Sequence, residues 1–385
     1  MQFRCFLYVM MVFILAIILP GCSNSYSGTS PLADLPEEQE TEEIVSAQSD
    51  VKPLNITEGI FEKVYGWIDQ ETLLYSYENN GKYYVYSHNL YSGISKLVFS
   101  SDAPIVNILI HKESGNLFIH TSPHSHAAMV YFTDKEGHIN FSTHIDSYEL
   151  AYEWNKTNPS LMLITAFYED WSYKVHQINV QAQKVTELIG YQPFLKWFNQ
   201  DHILEQDWKE NEAAFFAPIW KKSLSNPTDS SLLQENVYRF DVFSNIIMTI
   251  KVPENNTEFF EYNFNDVALE TEVANFKLPN ITHYSDWLVP FYDFIYEDQR
   301  FITFAPKSHG NADRYNEGYR LIQLALTDQT ESILFGDLDN KPLSCSPDGV
   351  HCLYGYQFEQ ILNLETGEKV FLVEPEKNNK SEASE

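Results

Sequence analysis

Three histidines, His120, His124 and His126, lie within one short stretch, and Glu169 follows further along the chain. Imidazole nitrogens and carboxylates are zinc ligands, so these four side chains have the chemistry of a metal site. A zinc site also needs ligands fixed by an element and by outer hydrogen bonds, which this spacing does not indicate. We therefore interpret the histidines as solvated loop residues and predict neither a metal nor another cofactor.

Glu169, Asp170 and Asp207 are the residue types that cleave glycosides, where two carboxyl groups flank the scissile bond. The separation that such chemistry requires cannot be obtained from sequence. A Gly-x-Ser-x-Gly hydrolase motif does not occur in the chain. We favour a binding or scaffold role without turnover, and the alternative is an enzyme that cleaves carbohydrate or peptide with these carboxylates.

Two of the carboxylates stand next to an aromatic residue, at Asp170-Trp171 and Asp207-Trp208. Such pairs can hold a sugar or a peptide by stacking and hydrogen bonding. The alternative is that the tryptophans fill contacts between sheets while the aspartates cap turns. Further candidates for the same ligand-binding surface are Lys307, His309 and Arg314, with Asp102, Tyr148, Glu149, Tyr191, Gln192 and Lys341 in connecting loops.

Cys345 and Cys352 flank one turn, Ser346-Pro347-Asp348-Gly349. If a four-residue loop joins two antiparallel strands here, the two cysteines share a face but lie diagonally, at ~7–8 Å between backbones. A disulfide would then need some distortion. The sequence leaves open whether the pair is bridged.

Cys22 follows an apolar run at residues 5–18 and the small-residue segment Leu19-Pro20-Gly21. The run is shorter than the ~20 residues that span a bilayer, and the pattern is typical of a bacterial lipoprotein signal. We predict a signal peptide over residues 1–21 and a lipid on Cys22. The protein is then expected on the outer side of the membrane of a Gram-positive cell.

Residues 22–51 are polar and acidic, which predicts a disordered tether, and residues 375–385 are expected to form a disordered tail. The folded body is predicted over residues 52–374. The formal net charge of −29 opposes binding to nucleic acid. We expect an envelope protein or glycan as partner, while the sequence does not indicate an oligomeric state.

The elements that must position these residues are predicted to be strands, because short apolar runs alternate with turn residues and no long helical periodicity occurs. A residue that ends one strand recurs at steps of 44, 43 and 43, and further copies follow. These positions are Trp67, His111, Trp154, Trp197, Tyr296 and Cys345. Four antiparallel strands in each 40–45 residues are typical of a β-propeller blade.

We expect six blades, with seven as the alternative, because the interval from Trp197 to Tyr296 is too long for one blade. Residues 237–252 are assigned to the outer strands of the fourth blade, displaced by an insertion through Trp220 and residues 223–231. Residues 254–280 stay unassigned, as a second insertion or a degenerate seventh blade.

The turn at residues 346–349 resembles the repeat turn of TolB-type propellers. Four further segments are informative: DAPIV at 102–106, IHTSP at 119–123, YELAYEWN at 148–155 and TAFYEDWSY at 165–173. Through these segments the chain resembles, over residues 58–374, the YqgU-like lipoproteins of Gram-positive bacteria. The resemblance implies a six-bladed propeller and a lipid-anchored location, and it brings no catalytic residues with it.

Overall fold

The computed structural model describes residues 51–209, 214–267, 271–284 and 286–373. In these residues every regular element is a β-strand. The same part of the chain contains no helix long and apolar enough to cross a membrane. The expected signal peptide, the tail and, apart from Val51, the tether lie outside the described residues.

Seven sheets have four antiparallel strands each, in chain order from the first strand to the fourth. Sheet 1 contains β1 (Ile60–Trp67), β2 (Thr72–Asn79), β3 (Lys82–Asn89) and β4 (Ser95–Ser101); sheet 2 contains β5 (Ile105–Ile110), β6 (Leu117–His124), β7 (Ala127–Thr133) and β8 (Ile139–Asp146). Sheet 3 contains β9 (Glu149–Trp154), β10 (Leu161–Phe167), β11 (Tyr173–Asn179) and β12 (Lys184–Leu188); sheet 4 contains β13 (Lys196–Trp197), β14 (His202–Gln206), β15 (Ala217–Ser223) and β16 (Ser230–Val237).

The second half of the ring follows the same plan with one addition. Sheet 5 contains β17 (Arg239–Phe243), β18 (Ile246–Lys251), β19 (Phe259–Asp266) and β20 (Glu272–Pro279). A small three-stranded sheet contains β21 (Ile281–His283), β22 (Asp286–Leu288) and β25 (Gly310–Asn311). Sheet 6 contains β23 (Tyr292–Ile295), β24 (Arg300–Pro306), β26 (Tyr319–Ala325) and β27 (Thr330–Leu338); sheet 7 contains β28 (Leu343–Cys345), β29 (His351–Tyr354), β30 (Gln360–Asn363) and β31 (Lys369–Phe371).

The sheets are arranged as a closed propeller. First strands of neighbouring sheets lie side by side around a central channel, whereas fourth strands such as β8 and β12 are largely exposed. Seven clusters of buried apolar side chains fill the contacts between consecutive sheets, including the one between sheets 7 and 1. Because each sheet has two apolar faces, only a closed ring buries all of them. The expected all-β propeller is therefore confirmed.

The repeat found in the sequence marks the end of each first strand. Trp67, Trp154, Trp197 and Cys345 are the last residues of β1, β9, β13 and β28, while His111 and Tyr296 directly follow β5 and β23. Indole Nε1 of Trp67 donates to the Ser344 carbonyl of sheet 7 at 2.8 Å, and Nε1 of Trp197 donates to the Glu153 carbonyl of sheet 3 at 2.9 Å. The recurring aromatic residues thus tie neighbouring sheets together at one end of the channel.

The assignment between Trp197 and Tyr296 needs correction. β15 and β16 complete sheet 4, so residues 237–252 are not its outer strands, and residues 254–280 supply β19 and β20 of a separate sheet 5. The described residues therefore form seven four-stranded sheets, the alternative that the sequence left open. Phe243, the last residue of β17, is the hidden repeat position.

Candidate functional site

One end of the ring carries the starts of the first strands and the turns between second and third strands, as the sequence predicted for a binding surface. Most of its exposed aromatic side chains gather on sheets 2 to 4. We call this group, together with the half-buried Phe167 beside it, the aromatic rim; its members are Tyr148, Phe167, Trp171, Tyr173 and Phe194.

Three rings of the aromatic rim lie close together on one hairpin and one connecting segment, and its other two members belong to the same hairpin or lie beside it. The rings of Phe167 and Phe194 are 5.3 Å apart, and those of Phe167 and Tyr173 are 6.2 Å apart. The amide of Tyr148 donates to the Phe167 carbonyl at 2.8 Å, which places it beside the same hairpin. Trp171 is 86% exposed, Phe194 64% and Tyr148 62%. Large exposed aromatic side chains grouped in one region are typical of interaction sites in soluble proteins.

Two members of the aromatic rim have an unfavourable backbone. Trp171 has φ of 65° and Phe194 has φ of 62°, in the left-handed region that large side chains rarely adopt. Such a conformation costs on the order of 1–3 kcal/mol and tends to occur at functional sites. Neither ring is buried in return. For Trp171 the alternative that it fills a contact between sheets is therefore wrong.

Asp170 holds the turn that presents Trp171. Its Oδ1 accepts hydrogen bonds from the Ser172 amide at 3.0 Å and the Ser172 hydroxyl at 2.5 Å. These hydrogen bonds hold the pKa of Asp170 below its usual range. Glu169 is exposed at the same hairpin tip. The carboxylate of Asp170 therefore stabilises the turn, and the side chain of Trp171 is exposed to solvent.

The three histidines do not share one environment. His120 lies inside β6, buried, with Nδ1 at 2.6 Å from the Tyr152 hydroxyl, and burial lowers the pKa of His120 to about 4. Its expected position in a solvated loop is wrong because β6 continues to His124. His124 and His126 are exposed, and the ring of His126 lies 5.9 Å from that of Tyr148. The described residues hold no group of His, Cys, Asp and Glu suited to a metal ion.

The remaining candidates lie elsewhere on the same end of the ring. Asp207 lines a polar groove of about 410 Å³ between sheets 3 and 4, and Trp208 beside it is half-buried. Glu205, which also lines this groove, forms an ion pair with Lys222 and accepts a hydrogen bond from the Gln192 amide. The carboxylates Glu169 and Asp170 do not line this groove.

A third group lies on the loop between β24 and β26. Lys307 pairs with Asp337 at 3.1 Å and His309 pairs with Glu258 at 3.1 Å. Arg314 is exposed on the same loop. The predicted rim residues therefore divide among three places and do not form one pocket.

The sequence analysis missed a set of charged residues on the first strands, inside the channel. Nζ of Lys196 lies 3.0 Å from both Glu153 Oε2 and Asp241 Oδ1, and Nζ of Lys112 lies 2.6 Å from Asp293 Oδ1. Burial opposes the charge on Lys196, yet the two carboxylates raise its pKa. Against the same burial, Lys196 holds the pKa of Asp241 below its usual range.

A sequence signal for the channel charges did exist. Lys196 and Glu153 each directly precede the repeated tryptophan that ends a first strand, and Lys112 directly follows His111. A charged residue next to a buried repeat position points into the channel because side chains alternate along a strand.

This architecture defines the chain as a β-propeller protein with an exposed aromatic rim and a channel lined by charged side chains. The chain belongs to the family described as the YqgU-like six-bladed β-propeller domain, whose model matches residues 89–355. It is 24% identical over 311 residues to the uncharacterised lipoprotein YqgU of Bacillus subtilis, covering 80% of this chain and 83% of that protein. The family's description gives six blades, whereas the described residues here form seven four-stranded sheets.

Solved structures show the same fold. An uncharacterised protein of Listeria monocytogenes has a TM-score of 0.78 at 18% identity, covering 85% of this chain and 98% of that one. The propeller domain of the Trilobed protease of Pyrococcus furiosus, which has an open velcro topology, has a TM-score of 0.53 at 11% identity, with 82% and 98% covered. An oligogalacturonate lyase of Vibrio parahaemolyticus has a TM-score of 0.54 at 9% identity, with 80% and 91% covered.

Proposed function

We propose that this chain is a lipid-anchored binding module of the bacterial envelope. A lipid on Cys22 holds it on the outer face of the membrane, an acidic tether over residues 22–51 separates the propeller from the bilayer, and the aromatic rim binds a protein partner without turnover. The lipoprotein relative in Bacillus subtilis supports the anchor.

The observation that carries the binding role is the exposure of Trp171 and Phe194 on strained backbone. An exposed indole at left-handed φ does not stabilise the fold, since its backbone is strained and its ring is not packed. Burial of the ring by a partner would offset the cost of the strain. Tryptophan and tyrosine dominate the binding energy of protein interfaces, where a few central aromatic residues contribute most. Tyr148 lies beside the Phe167 hairpin and extends the same surface.

The charges around the aromatic rim indicate the chemistry of the partner. Glu149, Glu169 and Asp170 are exposed beside the exposed rings. A complementary surface is apolar at its centre and cationic at its edge. We therefore expect an envelope protein with basic residues around an apolar contact, and an association rate that falls as salt screens the charges.

Chemical cross-linking on intact cells, followed by mass spectrometry, tests the proposal. The wild-type chain is expected to give a specific cross-linked protein that sediments with membranes. Trp171→Ala combined with Phe194→Ala should weaken recovery of that protein at least about tenfold, because losing two central aromatic contacts costs about 2 kcal/mol or more. Cys22→Ala should release both proteins from the membrane fraction.

Tyr284→Ala is the matched control. Tyr284 is 81% exposed with φ of 54°, but it lies in the turn between β21 and β22, outside the aromatic rim. Its substitution should leave cross-linking unchanged. Equal recovery from the double variant and the wild type would refute the rim as the contact surface. If the chain retains a cell-wall polymer and no protein is cross-linked, the proposed protein partner is wrong and the partner is a polymer.

A further inference from the structure

The end of the channel opposite the aromatic rim contains a separate cavity of about 320 Å³. Its walls are the final residues of first strands and the turns that follow them. The polar and aromatic residues that matter for its chemistry are Tyr65, Lys112, Glu113, Tyr152, Glu153 and Lys156. The volume lies in the range of small-molecule sites, and the lining combines aromatic surface with a few polar groups.

Glu153 has an unused acceptor in this cavity. Its Oε2 accepts from Lys196, but its Oε1 is buried without a hydrogen bond, and the side chain is 9% exposed. Nζ of Lys156 lies 3.7 Å from Oε1, beyond hydrogen-bond distance. A buried carboxylate oxygen without a donor is costly, so the site favours a molecule that brings one.

The distance between Glu153 Oε1 and Lys156 Nζ indicates which kind of ligand group can donate to the carboxylate. A single hydroxyl placed between Glu153 Oε1 and Lys156 Nζ can donate to the carboxylate and accept from the ammonium, because an O–H group is both donor and acceptor. An ammonium group donates only, and a carboxylate accepts only. The geometry of the gap therefore suits an alcohol.

The charges of the cavity favour a neutral ligand over a charged one. The charged side chains that line it are two lysines, Lys112 and Lys156, and two glutamates, Glu113 and Glu153. Burial lowers the pKa of His111, which also lines the cavity and is neutral at pH 7. Lys112 already pairs with Asp293, and Glu153 pairs with Lys196 and Lys156, whereas Glu113 is exposed. A charged ligand would therefore find little further compensation for its charge in the cavity.

We infer that this cavity is a binding site for a neutral saccharide, whose hydroxyl bridges Glu153 and Lys156. The rings of Tyr65 and Tyr152 provide apolar surface for the C–H face of the sugar. The site is independent of the aromatic rim, because its residues lie at the opposite ends of the first strands. The inference goes beyond the proposed function and does not depend on it.

Calorimetric titration of the full-length chain, held in a detergent without a sugar headgroup, tests the inference. The probes are D-glucose and N-acetyl-D-glucosamine, with protonated glucosamine and glucuronate as charged counterparts of similar size. At least one neutral sugar is expected to bind saturably, and its charged counterparts should bind at least about tenfold more weakly. Binding of neither neutral sugar means that the cavity holds water only and overturns the inference.

Two variants test the residues. Glu153→Gln and Lys156→Met should each weaken the binding of the neutral sugar at least about tenfold, because glutamine offers the hydroxyl only a neutral acceptor and methionine removes the donor to its oxygen. Lys156 is partly exposed, so its substitution keeps the test valid if Glu153→Gln destabilises the fold. Trp171→Ala should leave sugar binding unchanged, which separates this site from the rim. Unchanged affinity in Lys156→Met, or equal binding of charged and neutral sugars, would reject the site.

Discussion

At the scale of single residues, His120 links burial to acid sensitivity. The folded chain keeps its imidazole neutral, with the pKa lowered from 6.5 to about 4 by burial, while the unfolded chain protonates it normally. As the pH falls from 6.5 towards 4, the unfolded state therefore binds a proton that the folded state does not. We expect this to remove up to about 3 kcal/mol of the free energy of unfolding, measured by urea denaturation at pH 7 and pH 4.5.

His120→Gln separates this effect from other titrations. Glutamine can keep a hydrogen bond to the Tyr152 hydroxyl without titrating, so the variant should lose less stability between pH 7 and pH 4.5 than the wild type. The titration of Asp241 does not contribute to the loss of stability expected between pH 7 and pH 4.5. Its pKa is lowered in the fold, so its contribution is present above the unfolded value near 3.9 and is lost below it. The same pH dependence in both proteins would show that another group is responsible.

The residue scale also shows what sequence could and could not predict about the site. The Asp170-Trp171 pair was predicted at a rim turn and lies at one. The contact between Phe167 and Phe194 was missed, because Phe194 is far away in sequence and meets Phe167 through the packing of sheet 3 against sheet 4. The same holds for Lys196, which joins Glu153 and Asp241 from three different sheets.

At the scale of strands and turns, the repeat spacing predicted every sheet that keeps a regular length. It failed for sheet 5, since Phe243 follows Trp197 by 46 residues and β21 and β22 then lengthen the path to Tyr296. The repeat spacing depends on the number of residues from one first strand to the next. The small additional sheet increases that number, but sheets 5 and 6 remain neighbours in the ring. The apolar contacts between sheets continue across this irregular stretch.

The inner hairpin of sheet 7 gives a prediction about a covalent constraint. Cys345 and Cys352 are directly opposite each other and form a disulfide, with Cα atoms 3.9 Å apart, so the expected diagonal arrangement is wrong. The turn is tightened by Ser346, whose amide donates to the His351 carbonyl. Replacing both cysteines by alanine should lower the free energy of unfolding by about 2 kcal/mol, since the bridge closes a short loop.

Reduction of the wild-type protein is the control for that hairpin. Both cysteines are almost fully buried, so a mild reductant should act slowly on the folded protein and faster in denaturant. Denaturation curves of the oxidised, reduced and double-alanine proteins then separate the bridge from the packing of the thiols. Equal stability of the oxidised protein and the double variant would mean that the bridge adds nothing.

At the scale of the whole molecule, the strands of residues 51–373 that the structure describes close the ring without one that is shared between its ends. Sheet 1 and sheet 7 each come from one continuous part of the chain, so their contact must be held by other means. The Val64 amide donates to the Gln357 carbonyl at 3.0 Å, and the Trp67 indole donates to sheet 7. The segment before β1 adds a clamp, because the amide of Leu54 donates to the Leu372 carbonyl at 2.8 Å.

Leu54 therefore gives the sharpest test of ring closure. Its side chain is buried in the cluster between sheets 1 and 7, and Leu54→Ala should lower the free energy of unfolding by about 2–3 kcal/mol. Because the loss acts at the closing contact, hydrogen exchange should accelerate first in β1 and β31 and later in sheets 3 and 4. Ile60→Ala, at a residue that is 65% exposed, is the matched control and should change neither quantity. Uniform acceleration in all seven sheets would instead mean that the ring opens as one cooperative unit and that the segment before β1 is not a local clamp.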